Sequence, residues 1–388
     1  ERAGGRRFAY NTTMNTNAGG FTFGDLGQTN LPGYSTGEYG NPDVAWEEAT
    51  KADVGIELGL FNKIKIQADY FYEKREGIFI QRESTPSVVG TKTAQWVNLG
   101  RMKNQGFDMS LEFDHSFNKD FSISARGNFT YNRNKKLYDD KPDQIWKYQN
   151  LAGFANNQQF GLIAEGLFES EEDIANWPKQ DFGTVRPGDI KYRDVNGDGV
   201  VNNYDRAAIG NPRTPEIQFG IPLGLSYKGF DFSMLCQGYA FSSLWQPAAL
   251  GSVQLSGPAV WDFPLYDQSR IGKVRRMHLD RWTPETAATA KYPALHYGIH
   301  NNNKQQYSSL FLYDASYIRL KNVEIGYTLP KAWTSKAGIQ NVRIYVQGQN
   351  LLTFDNLGDV DMDPEIKNGD GSWFPVQRVI NIGLNMTF

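Results

Sequence analysis

The sequence predicts an all-β chain: the wall of a transmembrane antiparallel β-barrel, about ten strands with long loops on one side. Three observations carry that prediction. Apolar and polar residues alternate with period two from end to end of the 388 residues. The composition favours strands and interfacial rings, with aromatics at 14%, 39 glycines, 20 tyrosines and 9 tryptophans. The connections alternate between short and very long.

The strands follow in order. Val54, Ile56, Leu58 and Leu60 alternate with Asp53, Gly55, Glu57 and Gly59, and a short LFNK turn leads to Ile64, Ile66, Ala68, Tyr70 and Tyr72. Phe107, Met109, Leu111 and Phe113 come next, then HSFNKD, then Phe121, Ile123, Ala125, Phe129 and Tyr131. Ile217, Phe219, Ile221, Leu223 and Leu225 pass through a tight YKGF turn to Phe230, Phe232, Met234 and Cys236. Val323, Ile325, Tyr327 and Leu329 precede a connection led by Pro330, and Val342, Ile344 and Val346 follow it. The last strand sets Ile380, Ile382, Leu384, Met386 and Phe388 against Asn381, Gly383, Asn385 and Thr387.

A soluble sandwich gives the same alternation, but two features separate it from a barrel. The stretch SSLFLYDASYIRLKNVEIGYTL reads as one strand about twice the usual globular length. Aromatics cluster near apparent strand ends, as at Tyr70, Phe71 and Tyr72, or Tyr313 and Tyr317. The polar positions are Asn, Gly, Thr, Gln and charged residues, as a wet interior requires.

Bulk properties exclude other classes. With 40 Lys and Arg against 43 Asp and Glu the net charge is −3, so no nucleic-acid partner is expected. The single cysteine, Cys236, allows no intrachain disulfide. No apolar run is long enough for a transmembrane helix, which leaves barrel strands open because they average out in hydropathy. The chain opens ERAGGRRFAY, without Met or a signal peptide, and reads as a piece of a longer protein or a mature form.

The final NIGLNMTF fits a signal read when barrels are inserted into a bacterial outer membrane, with Asn381, Gly383, Met386 and Phe388 as its positions. Its expected partners are the barrel assembly machinery and outer-membrane lipids. The physical logic is an edge strand with a lipid-facing seam and an aromatic anchor at the interface. Placing Phe388 on the periplasmic side fixes the rest by parity. The loop with DVDMDPE and residues 243–306 then lie outside, while YKGF, HSFNKD and the Pro330 connection lie in the periplasm. The count closes if residues 134–213 make one outer excursion, and equally if that excursion hides an extra pair of crossings.

Within that excursion, DVNGDGVVNNYD follows the twelve-residue EF-type calcium template. Asp194, Asn196 and Asp198 fill positions 1, 3 and 5, and Gly199 sits at the sharp turn. Val200 offers its carbonyl, Asn202 sits at position 9, and Asp205 stands where EF-hands use a bidentate Glu. A structural Ca2+ of modest affinity is expected on the extracellular side. The other reading is an Asx- and Gly-rich turn holding its shape by self hydrogen bonding.

Other motifs are read as structure. HYGIH spaces His296 and His300 like helical zinc ligands, but has no accompanying HExxH or cysteine pair, and His115 and His278 stand apart. Asp359, Asp361, Asp363 and Glu365 are expected to form a solvated acidic turn rather than a cation site. Trp146, Trp177, Trp245 and Trp261 either stack on sugars or pack the outer loops. No catalytic motif occurs, no enzyme is expected, and no substrate residue can be named.

The chain also resembles the C-terminal part of a SusC/RagA-type TonB-dependent outer-membrane transporter. The stretches that carry the resemblance are NPDVAWEEATKADVGIEL, KNQGFDMSLEF, GLFESEEDI, RPGDIKYRDVNGDGVVNNYDRAAIGNPRTPEIQFG, YKGFDFSMLCQGYAF, LDRWTPE, SYIRLKNVEIGYTLP, NVRIYVQGQNLLTF and DMDPE, in family order over nearly the whole chain. The resemblance implies a barrel of about 22 strands with a plugged lumen, of which residues 1–388 supply the C-terminal strands. The plug domain, TonB box and N-terminal strands have no counterpart in this sequence. It further implies import of an oligosaccharide or peptide, energised by TonB through the plug, with a SusD-like surface lipoprotein as lid. The alternative is a barrel that serves as a surface anchor or secretion component.

Overall fold

The computed structural model describes residues 8–25, 27, 29–90, 93–245, 279–295, 301–304, 307–358, 362–365 and 376–388. Among the described residues, nineteen strands occur in chain order. They are β1 (Met14–Phe23), β2 (Thr29–Thr36), β3 (Glu48–Leu60), β4 (Ile64–Gln81), β5 (Trp96–Ser116), β6 (Phe121–Tyr138), β7 (Gln159–Gly161), β8 (Ala164–Leu167), β9 (Lys179–Gln180) and β10 (Ile190–Tyr192). There follow β11 (Val200–Val201), β12 (Ala207–Ile209), β13 (Ile217–Tyr227), β14 (Phe230–Ala240), β15 (Ser243–Trp245), β16 (Leu312–Asp314), β17 (Tyr317–Thr328), β18 (Asn341–Asp355) and β19 (Val379–Thr387). Contacts divide the chain into two compact units. One comprises Glu1–Val54, Phe71–Gly106 and Arg133–Asn156, the other Gly55–Tyr70, Phe107–Asn132 and Asn157–Phe388.

A nine-stranded sheet has the order β19-β18-β17-β14-β13-β6-β5-β4-β3; the second unit holds β13, β14, β17, β18 and β19 whole and β3 to β6 only within Gly55–Tyr70 and Phe107–Asn132. The register of the sheet shows why the sequence alternates. Ile123, Leu225, Phe232, Ile325, Val346 and Ile382 are successive cross-strand partners and form one apolar row over six strands. One residue along, Ser124, Gly224, Ser233, Glu324, Gln347 and Asn381 form a polar row. Side chains alternate between faces with period two, so the two rows point to opposite sides. The apolar face is left uncovered, with Ile325 at 54% and Ile382 at 79% exposure. A sandwich would bury that row against a second sheet; a barrel presents it to lipid.

β6 pairs directly with β13, antiparallel, from Tyr131↔Ile217 to Phe121↔Tyr227. Everything between them is therefore one excursion, and the extra pair of crossings is excluded. Among the described residues the wall sheet has nine strands, in keeping with the roughly ten expected, and β1 and β2 form a separate two-stranded sheet.

Two expectations about strand length change. Residues 308–329 are not one strand: β16 pairs with β15, and the wall strand begins only at Tyr317. The break is local chemistry. Asp314 Oδ1 accepts from both the backbone N–H and the hydroxyl of Ser316, at 2.9 and 2.5 Å, while Ala315 N–H turns to the Ser242 carbonyl. The long strands are instead β4, β5 and β6, with 18, 21 and 18 residues. A tilted membrane strand needs about 9–11 residues, so these three continue beyond the bilayer. Tyr70, Phe71 and Tyr72 accordingly fall inside β4 rather than at its end. The aromatic cluster lies at the short-turn end. Phe117 and Phe121 stack at 5.1 Å, Phe121 meets Tyr227 at 6.1 Å, and Phe230 meets Tyr327 at 4.3 Å. His115 packs edge-on to Phe117 in this cluster.

The outer excursions of this unit have their own small core. Leu162, Ile190, Tyr192, Val201, Tyr292 and Phe311 cluster in it, and all but Tyr292 are at most 2% exposed. Its elements are short: β7 pairs with β12, β8 with β10, β9 with β11, and the helix α1 (Glu171–Ala175) is capped by the Ser170 side chain. Asn302 and Asn303 of the short helix α2 (Asn301–Lys304) are fully buried beside this core. Gln180 donates to the Asn302 side chain at 2.7 Å and to the Ile190 carbonyl at 2.9 Å. Tyr192 gives its hydroxyl to the Asn302 carbonyl at 2.8 Å, and burial holds its phenol well above the usual range.

In the first unit, Phe79 and Trp96 stack at 5.4 Å. Buried Asn41 donates to the Trp96 carbonyl and accepts from Asp43 N–H, both at 3.0 Å. Asp140 takes φ 52°, a left-handed conformation that aspartate tolerates, and accepts hydroxyl bonds from Ser84 and Tyr138.

Candidate functional site: the polar wall face and its outer loops

Among the charged clusters on the polar face of the wall, two involve β14, β17 and β18. Near the short-turn end, Arg343 of β18 donates through Nε to Asp231 of β14 at 3.0 Å and through Nη2 to Glu324 of β17 at 2.5 Å. A second bond from Nη2 reaches the other Asp231 oxygen. Two glycines make room. A Cβ at Gly326 would collide with the Arg343 guanidinium and the Asp231 carboxylate, and one at Gly383 with the Tyr345 ring. Tyr345 in turn lies under Arg343 at 5.0 Å. Gly383→Leu is thus expected to evict Tyr345 and lower the temperature at which the folded protein loses its compact electrophoretic mobility. An unchanged transition would mean that Tyr345 has another place to go.

Towards the outer end, Arg319 of β17 is only 2% exposed. Its Nη2 donates to both Asp363 oxygens, at 2.8 and 2.9 Å, and its Nε donates to Thr353 at 2.9 Å. Its Nη1 lies 3.1 Å from Glu365. Glu365 also accepts from Gln237, Tyr317 and Lys321. Asp363 and Glu365 are therefore not solvated as expected, since Asp363 is 7% exposed and both are paired. Paired burial of this kind is what a carboxylate requires away from water. Asp359 and Asp361 lie outside the described residues. The missed signal was the polar-face position of Arg319 and Lys321: cations facing inward need acids, and the nearest sit in the next loop.

The DVNGDGVVNNYD loop joins β10 to β12. Asp194 accepts from Gly197 N–H at 2.7 Å and from Gly199 N–H at 2.8 Å. Asp198 accepts from Val200 N–H at 2.8 Å and from the Asn196 side-chain amide at 2.9 Å, while the Asn196 amide oxygen accepts from Asp198 N–H at 3.0 Å. Asn202 and Asp205 form a reciprocal cap, in which Asp205 accepts from Asn202 N–H at 2.7 Å and from Val195 N–H at 2.8 Å. Gly197 and Gly199 take φ of 76° and 84°, where a side chain would be strained. The donors are hard oxygens and suit calcium, but among the described residues no three acids converge on one point. The geometry is that of a self-bonded Asx turn, with Asp205 closing it from inside.

Other expected positions fall as follows. Asn381, Gly383 and Met386 lie on β19, and Phe388 follows it, 77% exposed. β19 is an edge strand of the sheet, as β3 is at the other end. Trp177 is tied to the Tyr192 carbonyl at 2.8 Å and lies under Lys191 at 4.2 Å. Trp245 donates to Gln159 at 2.6 Å and packs on Tyr307, while Trp146 stacks on Tyr148. Trp177 and Trp245 tie loop segments together, the Trp146 contact is within its own turn, and Trp261, His278, His296 and His300 lie outside the described residues.

Comparison with known proteins agrees with this architecture. Residues 7–351 match the family described as TonB dependent receptor-like, beta-barrel. TonB-dependent receptor P3 of Formosa agariphila is 27% identical over 392 residues, covering 94% of this chain and 36% of that protein. TonB-dependent receptor SusC of Bacteroides thetaiotaomicron is 23% identical over 357 residues, 90% of this chain and 32% of that one. The chain thus spans about a third of the length of these relatives. Among solved structures, that of the RagAB peptide transporter superposes with a TM-score of 0.67 at 21% identity, covering 98% of this chain and 39% of that one. With the two-faced wall and a family match over residues 7–351, the chain belongs to the TonB-dependent receptor β-barrels of the outer membrane.

Proposed function

We propose that the chain is the C-terminal barrel portion of a TonB-dependent importer of oligosaccharide or peptide nutrients, working with a SusD-like surface lipoprotein and performing no covalent chemistry. The observation that carries this reading is the wall itself. Its apolar row suits lipid, its polar row suits a wet lumen, and its outer connections are long enough to build a vestibule. The family match supports energy from TonB, acting through a plug contributed by the rest of the transporter. The test uses the full-length protein in cells, fed with labelled oligosaccharides and, separately, peptides. Uptake is expected to need the protein and to stop when the proton-motive force is collapsed. A lipoprotein is expected to co-purify in mild detergent. Uptake indifferent to the proton-motive force overturns the reading.

Calcium is proposed for the Asp194–Asp205 loop on its donor chemistry. The ion would draw the side-chain oxygens of Asp194, Asn196 and Asp198 and the Val200 carbonyl from their backbone partners, with Asn202 and Asp205 completing the shell. Its role would be to stiffen an outer loop, because carboxylates this close repel without a cation. On intact cells, added calcium is expected to slow proteolysis of the wild-type loop relative to chelator. The Asp194→Ala, Asp198→Ala double variant should show no such difference. Identical rates in all four conditions would leave a turn and no ion.

A further inference from the structure

The Arg319 cluster borders a recess of about 270 Å3 on the polar face. Gln218 of β13 and Tyr239 of β14 line it from the wall, Ser242 and Ser243 from the loop above, and Pro364 and Glu365 from the β18–β19 connection. We propose that Asp363–Pro364–Glu365 is an ionic latch on a ligand subsite. Arg319 and Lys321 hold this tripeptide against the wall, closing one side of a recess that takes a hydroxyl- or amine-bearing group of the passing ligand. The proposal rests on the import reading for its ligand, but not for its geometry.

Three features favour a latch over plain packing. First, a buried ion pair is a poor way to gain stability, because well-packed apolar residues of the same volume usually do as well or better. What a pair adds is reversibility, since a competing charge or donor can exchange with it. Second, the bonds to Glu365 are uneven. Oε1 accepts from Gln237, Tyr317 and Lys321 at 3.0, 2.9 and 3.3 Å, with Arg319 at 3.1 Å. Oε2 accepts from Lys321 at 3.3 Å, a long bond for a charged pair. A ligand donor reaching Oε2 therefore competes only with Lys321, whose bonds to both Glu365 oxygens are the long ones of the cluster. Third, Asp363 and Glu365 are mechanically coupled, since the Glu365 N–H donates to Asp363 at 2.9 Å. Movement at one end of the tripeptide reaches the other.

The ligand chemistry follows from the lining. The Glu365 carboxylate and the amide, phenol and serine oxygens of the lining can accept from hydroxyl or amine donors, beside an Arg213 donor and the apolar Pro215, Leu244 and Ala315. The volume admits a single residue-sized group rather than a whole ligand.

The test measures access to the recess in the full-length protein in outer-membrane fragments, with Cys236 and every other cysteine replaced by Ser as background and Ser242→Cys as reporter. Ser242 is 6% exposed, so a small charged thiol reagent should react slowly while the latch is closed. Arg319→Met or Asp363→Asn is expected to speed labelling about tenfold, the change that ~1.4 kcal/mol of lost holding energy gives. The charge exchange Arg319→Glu with Asp363→Arg should return the rate towards that of the closed form. If Arg319→Met fails to assemble, Glu365→Gln, which keeps the shape of the side chain, makes the same comparison. Equal rates in closed and latch-broken proteins overturn the proposal, as does an exchange variant that labels as fast as the single variants. Labelling needs no transport, so absent uptake with the expected labelling pattern counts against the import reading alone.

Discussion

Replacing Asn303 by leucine should unfasten the outer-loop layer while leaving the wall standing. Asn303 is fully buried; it accepts from Ile190 N–H at 3.0 Å and from Asn302 at 3.1 Å, and it donates to Asp189 at 2.8 Å. Ile190 and Asp189 are themselves fully buried. Leucine fits the volume but strands a backbone donor and removes one donor from a carboxylate. Each such loss costs about 1–3 kcal/mol, more for the charged group, so the layer should lose roughly 3–5 kcal/mol. The loss is local, because this layer has its own core of Leu162, Ile190, Tyr192, Val201 and Phe311. Amide exchange should accelerate by orders of magnitude over residues 159–209 and stay slow in β13, β14, β17 and β18. Equally slow exchange in both regions would show that water or a rearranged Gln180 replaces the lost bonds.

The contrast between wall and loop layer also explains what was legible in the sequence. The wall was legible because each strand repeats one physical rule many times. Ile380, Ile382, Leu384 and Met386 each report the same lipid face, so one misread residue changes nothing. The outer layer breaks into strands of two to four residues, too short for a period to show. Its order rests on Asn302, Asn303 and Gln180, polar residues that look like ordinary loop residues until their burial is known. Ion pairing was hidden for a related reason. Asp363 meets Arg319 44 residues away, and charge sign alone does not select one partner among many. The strand break at Asp314 was visible in principle, since Asp-x-Ser is an Asx-turn pattern, but the flanking aromatics and aliphatics outweighed it. The calcium template shows the opposite limit. Its spacing is legible, yet backbone N–H groups compete for the same oxygens, as at Asp194 and Asp205.

Deleting Phe388 is expected to lower the outer-membrane level of the full-length protein several-fold, with little effect on the melting of whatever assembles. Two separate roles are at stake on β19. Gly383 acts in the finished wall, where the Tyr345 ring occupies the space a side chain would need. Phe388 makes no such contribution: it lies beyond the last wall residue, Thr387, and is 77% exposed. An exposed terminal ring adds little packing energy, but at the membrane interface it anchors a strand whose free edge is not yet paired. During assembly β19 must present its apolar face, Ile380, Ile382, Leu384 and Met386, before the seam closes. Loss of the anchor should therefore act on the yield of insertion, and Gly383→Leu on the stability of the product. Two measurements separate them: the amount of protein in purified outer membranes, and the temperature at which the folded form loses its compact electrophoretic mobility. Normal levels after Phe388 deletion would remove the insertion role. A large drop in that temperature would instead make Phe388 part of the finished wall, packed against the strand that pairs with the free edge of β19.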